Sequence, residues 1–87
     1  MQQNKVYTVK LISGEEIISR VNQKDGTTEL VKPRLVAMMP QGFGMTPWML
    51  SAPDTNVIIS DTMIVGAAET SDMVSKEYIK QTTGLAI

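Results

Sequence analysis

The chain has 87 residues and a net charge of −1, and it contains neither cysteine nor histidine. This length suits one small domain, and the composition excludes disulfides, Cys/His zinc sites and Ser-His or Cys-His nucleophile pairs. No apolar run approaches the roughly 20 residues that cross a bilayer, and residues 1–5 lack the apolar segment of a secretory signal. We therefore expect one cytoplasmic domain that is not an enzyme and holds no metal or cofactor.

An alternating pattern predicts a β-hairpin at the start of the chain. Residues 5–11 alternate apolar and polar side chains, residues 16–22 form the second strand, and Gly14 suits the left-handed position of a three-residue turn. One register keeps the apolar and the charged pairs on opposite faces of the hairpin. In that register Val9 lies opposite Ile17, Tyr7 opposite Ser19, and Lys10 opposite Glu16.

A second turn and a long strand follow. The Asp-Gly pair at residues 25–26 is the strongest turn signal, and a third strand is expected at about residues 27–39. Pro33 interrupts this strand and indicates an edge or a bulge, because proline cannot donate to the ladder. We then expect a loop at residues 40–44 and a short strand at residues 48–50.

Two apolar segments, residues 57–59 and 63–65, flank a predicted turn at residues 60–62. They lack strict alternation, so both faces or the edges of these strands must be covered. An uncovered apolar edge promotes aggregation, and a domain this small has little with which to cover it. Pairing with a neighbouring protomer solves both problems, so we predict a homo-oligomer.

The end of the chain changes from a strand pattern to a helical one. We predict a helix at about residues 71–83, with Thr70 or Ser71 as its N-cap. Gly84 suits the stop that follows the helix, and Leu85 is placed to fold back onto it.

Two of these patterns resemble the two sequence motifs of the Sm-like family. Residues 9–19, Val-x-Leu-x-x-Gly-x-x-Ile-x-Ser, resemble the first motif, in which a glycine turn joins two strands. Residues 57–65, Val-Ile-Ile-Ser-Asp-x-x-Ile-Val, resemble the second motif, which has two short strands around a tight turn. Four further stretches look like the Sm-like proteins of T4-like phages that infect marine cyanobacteria: residues 14–18, 32–34, 47–49 and 78–85.

The resemblance implies a single Sm-like domain, residues 1–87, of the all-β class. It implies a strongly bent, five-stranded, SH3-like barrel at about residues 5–69, followed by the C-terminal helix. It also implies a homo-oligomeric ring, in which the fourth strand of one protomer pairs with the fifth strand of the next. If a phage encodes the chain, the expected cytoplasm is that of the host cell.

By the same resemblance, the chain is a non-catalytic RNA-binding or RNA-chaperone-like module that binds single-stranded RNA near the pore of the ring. The candidate RNA-binding residues are Gln23, Lys24, Asp25, Lys32, Arg34, Trp48 and Ser60. The alternative for Lys24 is a solvated turn residue, and the alternative for Lys32 and Arg34 is protection of an edge strand. Trp48 either stacks on a base or belongs to the core or an interface.

A second hypothesis is a structural or protein-interaction ring that has lost RNA binding. The sequence pI is about 5.2, whereas nucleic-acid-binding domains often have a basic excess. Ser60-Asp61 stands where the family's second motif carries Arg-Gly, and a carboxylate there repels phosphate. In this hypothesis the C-terminal helix docks a partner protein.

Overall fold

The computed structural model describes residues 1–84, so the predicted contact of Leu85 lies outside the described residues. The chain forms a mostly β fold with one C-terminal helix, as predicted. Its strands are β1 (Val6–Leu11), β2 (Glu16–Lys24), β3 (Thr27–Met39), β4 (Gly42–Pro47), β5 (Val57–Ser60) and β6 (Ile64–Glu69). A 3₁₀ helix at Asp61–Met63 joins β5 to β6, and α1 spans Asp72–Thr83. No helix within residues 1–84 is long and apolar enough to cross a membrane.

All the strands belong to one antiparallel sheet. Its order is β4-β3-β2-β1-β6, and β5 pairs with the first part of β3. The sheet has six strands where the Sm-like resemblance implies five. The difference arises because β4 and β5 both pair with β3 but are separated by residues 48–56.

The connection between β5 and β6 is too short for a flat sheet. Along the path β6-β1-β2-β3-β5 the outermost strands are four spacings apart, which is about 19 Å in a flat sheet. Only the 3₁₀ helix separates Ser60 from Ile64, and four residue steps span at most about 14 Å. The sheet is therefore curled, and β5 and β6 approach each other at the 3₁₀ helix.

The β1–β2 hairpin has the predicted register. The pairs are Val9 with Ile17, Tyr7 with Ser19, and Lys10 with Glu16. Gly14 has a φ of 94°, the left-handed conformation that the turn requires. Lys10 Nζ lies 3.6 Å from Glu16 Oε1, so the charged pair forms on the face expected for it.

Both faces of the sheet are covered at β2, which explains why the consecutive residues Ile17 and Ile18 are both buried. The inner face carries a buried cluster of Tyr7, Val9, Leu11, Ile17, Val21 and Leu30. On the opposite face, α1 places Tyr78 in a second buried cluster with Val6 and Ile18. Full burial of one large apolar side chain contributes about 1.5–3 kcal/mol, so α1 is an integral part of the core.

A bulge lies in β3 where Pro33 indicates an edge or a bulge. The pairing of β2 with β3 shifts register between Ile18 and Arg20, and β3 has one extra residue in this interval. Lys32 has a φ of 46° there, a left-handed conformation that is uncommon outside glycine. The bulge thus interrupts the alternation of side chains along β3.

The Tyr78 hydroxyl is inserted into the ladder beside this bulge. It accepts a hydrogen bond from the Arg20 N–H at 3.0 Å and donates one to the Val31 carbonyl. Arg20 and Val31 are partners in the β2–β3 register, so the hydroxyl bridges two backbone groups of paired strands. This contact fixes α1 to the sheet at one point.

The two ends of α1 differ in how closely they match their predictions. The helix ends at Thr83, as predicted, and Gly84 follows it with a φ of 75° and an N–H that donates to the Lys80 carbonyl at 2.9 Å. Ser71 occupies the N-cap position, but its side chain makes no capping hydrogen bond. The stop signal at Gly84 is therefore confirmed in conformation as well as in position.

Two expectations for residues 40–50 were wrong. Residues 42–44, expected in a loop, belong to β4, and residues 48–50, expected as a strand, lie outside the sheet. Pro40 and Gln41 alone form the turn, so the chain returns directly onto β3. Gly44 fits in this strand because the Met39 side chain occupies the space in which a Cβ would lie.

We expect Tyr78→Phe to lower the free energy of unfolding by about 1–3 kcal/mol, because the Arg20 N–H loses its acceptor and the Val31 carbonyl keeps only the Ser19 hydroxyl as a donor, at 3.2 Å. Tyr7→Phe is the matched control, since the Tyr7 hydroxyl accepts from the N–H of the exposed Gln2 at 2.8 Å and water can replace it. Urea denaturation at fixed protein concentration measures both changes. Equal losses in the two variants would contradict the role given to the Tyr78 hydroxyl.

Candidate binding site at the β2–β3 turn

Four of the candidate residues come together where the β2–β3 turn meets the end of β5. Asp25 and Gly26 have φ values of 51° and 81°, the positive values that a two-residue type I′ turn needs. Ser60 lies opposite Thr27 in the β3–β5 pairing, and the Asp61 N–H donates to the Gly26 carbonyl at 2.9 Å. We call these four candidates the turn site: Gln23, Lys24, Asp25 and Ser60.

A chain of hydrogen bonds joins the turn site to the core. The Gln23 amide donates to the Thr28 hydroxyl at 3.4 Å, and that hydroxyl donates to Asp61 Oδ1 at 2.6 Å. Thr28 is fully buried, so its hydroxyl needs partners within the protein. Sequence reasoning missed Thr28 and expected Asp61 to lie in a turn and to repel phosphate. The sequence signal for Thr28 was its spacing: it lies two residues before the buried Leu30, so its hydroxyl is on the same inward face of β3 and needs a partner there.

The charge around the turn site is mixed. The Lys24 side chain is exposed, and its ammonium has no hydrogen-bond or ion-pair partner within residues 1–84. Asp25 follows Lys24 in the turn, whereas the Asp61 carboxylate accepts a hydrogen bond from the buried Thr28 hydroxyl. The Ser60 hydroxyl lies 2.9 Å from the Thr62 hydroxyl and accepts from the Thr62 N–H. Attraction of a phosphate therefore depends on Lys24, while amide and hydroxyl groups supply neutral hydrogen bonds.

A cleft adjoins the turn site on the outer face of the sheet. Its volume is about 240 Å³, and its lining residues are Asn22, Lys24, Thr27, Glu29 and Ile58. Ile58 is 68% exposed, so it offers an apolar wall beside Lys24. The cleft thus combines one cation, Lys24, and one carboxylate, Glu29, with an apolar surface on which a flat group can pack.

Lys32 and Arg34 lie elsewhere and are engaged within the subunit. Lys32 Nζ donates to the Thr82 carbonyl at 3.1 Å, at the C-terminal end of α1 where a cation is favourable. The Arg34 side chain is only 5% exposed, donates to the Pro53 carbonyl at 2.9 Å and pairs with Asp54 at 3.5 Å. In a regular strand, alternation would place Lys32 and Arg34 on one face and form a basic face. The bulge interrupts this alternation, and the two cations bind different parts of the chain.

Trp48 lies at the other end of β2 from the turn site. Its ring packs, partly buried, against the inner cluster of the sheet. Its indole N–H donates to Glu15 Oε2 at 3.3 Å, in the β1–β2 turn. These contacts are those of a core residue with one polar partner, which is the structural alternative for Trp48.

No protein-family model matches the sequence, and no curated protein matches it. The functional assignment therefore rests on the residues and the geometry described above. Of the seven candidates, Gln23, Lys24, Asp25 and Ser60 lie where the β2–β3 turn meets the end of β5, whereas Lys32, Arg34 and Trp48 each have a place in the packing of the subunit.

We expect Thr28→Val to lower the free energy of unfolding by about 1–2 kcal/mol, because Asp61 loses a hydrogen bond from a buried hydroxyl. Thr27→Val is the matched control, since the Thr27 hydroxyl is exposed and bonds only the Lys24 carbonyl at 2.8 Å. Its effect should stay within about 0.5 kcal/mol. Urea denaturation followed by circular dichroism measures both, and an unchanged midpoint for Thr28→Val would show that this hydroxyl does not anchor the turn site.

Proposed function

We propose that this chain is a non-catalytic, ring-forming Sm-like module whose ring binds single-stranded RNA at the turn site. The observation that carries the proposal is the placement of β5 and β6. Both are edge strands of a curled sheet, and only three residues join them. Each subunit thus offers two free strand edges, to which two different neighbours can add.

The strand order supports a small barrel of the Sm-like kind. β4 and β5 both pair antiparallel with β3, so together they act as one fourth strand that residues 48–56 interrupt. β6 pairs with β1 and takes the place of the fifth strand. The short connection at the 3₁₀ helix forces the curl that such a barrel needs.

The free edge of β6 presents unpaired backbone groups. The Leu11 N–H donates to the Glu15 carbonyl on the β2 side, and the Ile12 N–H donates to the Met63 carbonyl on the β6 side. The backbone groups of successive β1 residues therefore point alternately to β2 and to β6, and those of Val9 point to β2. Its β6 partner Ala67 consequently directs its own N–H and carbonyl away from the sheet. The exposed Val65 side chain lies on the same strand.

The free edge of β5 is equivalent. The two-residue turn makes Lys24 and Thr27 a hydrogen-bonded pair, so the backbone N–H and carbonyl groups of Thr27 and Glu29 point towards β2. Ile58, the partner of Glu29, then directs its backbone groups away from the sheet. Pairing β5 of one subunit with β6 of the next would satisfy both edges and cover two exposed apolar side chains, Ile58 and Val65.

Such a ring repeats the turn site around one axis. Ser60 ends β5, so the turn site lies beside the proposed contact between subunits. A single Lys24, next to Asp25 in the chain and to Glu29 in the cleft, attracts phosphate weakly. Several copies that bind one RNA strand gain affinity because they are attached to the same ring. The ring therefore compensates for the lack of a basic excess in the single chain.

A protein-interaction ring is the second candidate, and the engagement of Lys32 and Arg34 favours it. Both cations are used within the subunit, which leaves Lys24 as the cation of the turn site. α1 then offers the docking surface, on which Met73 is exposed. The RNA titration below separates the two candidates.

We expect the wild-type chain to form an oligomer larger than a dimer and Ala67→Pro to break it into species of two subunits or fewer. Proline removes the outward N–H of Ala67 but leaves the bonds to β1 intact. Ala67→Val is the control, because it keeps this N–H and suits a strand. Light scattering after size-exclusion chromatography measures the masses. A wild-type mass no larger than a dimer would contradict the ring.

We expect short U-rich and A-rich RNAs to bind the ring, and Lys24→Ala to weaken their binding roughly fivefold at low salt. The salt slope should fall by about 0.7 for each phosphate that the variant no longer neutralises. Lys10→Ala is the charge-matched control, since Lys10 lies at the other end of β2 beside Glu16. Fluorescence anisotropy at low and physiological salt measures both variants.

Two results of this titration would redirect the proposal. If wild-type protein binds no RNA even at low salt, the RNA function is wrong and the protein-interaction ring replaces it. If Lys24→Ala and Lys10→Ala weaken binding equally, the turn site is not where RNA binds.

A further inference from the structure

A long uncharged segment stands apart from the turn site. Residues 35–53 contain no Asp, Glu, Lys or Arg, although the chain carries 8 basic and 9 acidic residues. We call these nineteen residues the neutral segment. It includes the second half of β3 and the whole of β4. Several of its large apolar side chains are exposed: Val36, Met38, Met39, Met49 and Leu50.

β4 within this segment is an edge strand of the sheet. Within residues 1–84 it pairs with β3 alone. Natural sheets protect such edges with charge or proline, and β4 has a proline at its last residue, Pro47, but neither device along residues 42–46. The first half of β3, by contrast, is covered by β5. Residues 42–46 of β4 therefore have the uncharged, proline-free composition that is typical of a strand paired on both sides.

The outward backbone groups of β4 belong to Phe43 and Met45. The Trp48 N–H donates to the Pro33 carbonyl of β3 at 3.0 Å, so the backbone groups of even-numbered residues in β4 point towards β3. The N–H and carbonyl of Gly44 therefore point towards β3, and those of Phe43 and Met45 point away from it. Pro47 also faces outward, but it has no N–H to donate.

We propose that β4 pairs antiparallel with β4 of a second copy of this chain, about a twofold axis at Gly44. In this register Phe43 of each copy lies opposite Met45 of the other. Both N–H groups and both carbonyls of these residues are then paired in each copy. A shift towards Pro47 leaves the Phe43 carbonyl without a donor, so the register at Gly44 is favoured.

The lack of charge indicates a second copy as the occupant of this edge. In a twofold contact a residue on the axis meets its own counterpart, and residues next to the axis lie close to theirs, so a charge there lies close to a like charge. The neutral segment avoids this repulsion completely. A distinct partner protein would impose no such requirement, because its own charges can complement those of the edge.

Side-chain packing fits the same register. Gly44 lies opposite Gly44 of the second copy, in the kind of pair whose Cα atoms approach to about 4.5 Å. The Met39 side chain already occupies the space above Gly44, so the axis is not left empty. Phe43 lies beside Met45 of the second copy, and sulfur–aromatic contacts are favourable.

This contact is separate from the proposed ring. It uses β4, whereas the ring uses β5 and β6, so it joins either two single subunits or two rings. An assembly with both contacts has an even number of subunits.

A cross-linking experiment tests the register. The chain has no cysteine, so Gly44→Cys introduces a single thiol at the proposed axis. The Cα separation of this pair suits a disulfide, and only the flexible end of Met39 must move to admit the new Cβ. Met38→Cys is the collision control, because Met38 is 81% exposed but does not lie on the edge strand. We expect Gly44→Cys to form disulfide dimers roughly tenfold faster than this control.

A second experiment removes the outward N–H. We expect Phe43→Pro to reduce the mass of the wild-type assembly about twofold, while Phe43→Val, which keeps the N–H, leaves it unchanged. In an Ala67→Pro background the chain should be a dimer, and adding Phe43→Pro should make it a monomer. Light scattering measures each mass.

The outcomes separate this proposal from the ring. A wild-type dimer whose Gly44→Cys variant cross-links quickly supports the β4 contact, even though the ring would then be wrong. An unchanged mass for Phe43→Pro, or cross-linking of Gly44→Cys no faster than that of Met38→Cys, would overturn the β4 contact.

Discussion

Three residues connect β5 to β6, although these strands are at opposite ends of the path β6-β1-β2-β3-β5. Much of the fold follows from this length. The 3₁₀ helix that makes the connection is hydrogen-bonded to the turns at both ends of β2. The Asp61 N–H donates to the Gly26 carbonyl at 2.9 Å, and the Ile12 N–H donates to the Met63 carbonyl at 2.8 Å. The sheet must curl around its inner cluster to allow both bonds. The same curl brings Ser60 to the β2–β3 turn and leaves the far edges of β5 and β6 open.

The bulge in β3 connects stability to surface charge. Tyr78 bridges the strands beside it and fixes α1, and the same local distortion gives Lys32 its left-handed backbone. The Lys32 ammonium then donates to a carbonyl at the end of α1, while the Arg34 guanidinium bonds residues 53–54. Two cations that would make a basic belt on a regular strand are thereby used to hold a helix and a loop. These internal contacts leave fewer cations free to bind a ligand at the surface.

Features that depend on neighbouring residues could be predicted from the sequence, and features that depend on distant ones could not. The β1–β2 register, the turn at residues 25–26 and the bulge at Pro33 follow from alternation, glycine and proline. β4 was missed because Gly44 resembles a loop residue until Met39 is seen to fill its place. At the candidate site, Lys24 follows from the turn, whereas Thr28 becomes important only through the pairing of β3 with β5.

Trp48 is the only tryptophan of the chain, and its position gives the protein an optical reporter of its own. The indole touches the inner cluster and bonds Glu15, so its emission depends on the core and the β1–β2 turn together. Loss of the core exposes the ring to water and shifts its emission to longer wavelength. The turn site lies at the other end of β2, so occupation of that site leaves the indole environment intact. Intrinsic fluorescence therefore follows folding separately from ligand binding, without any added label.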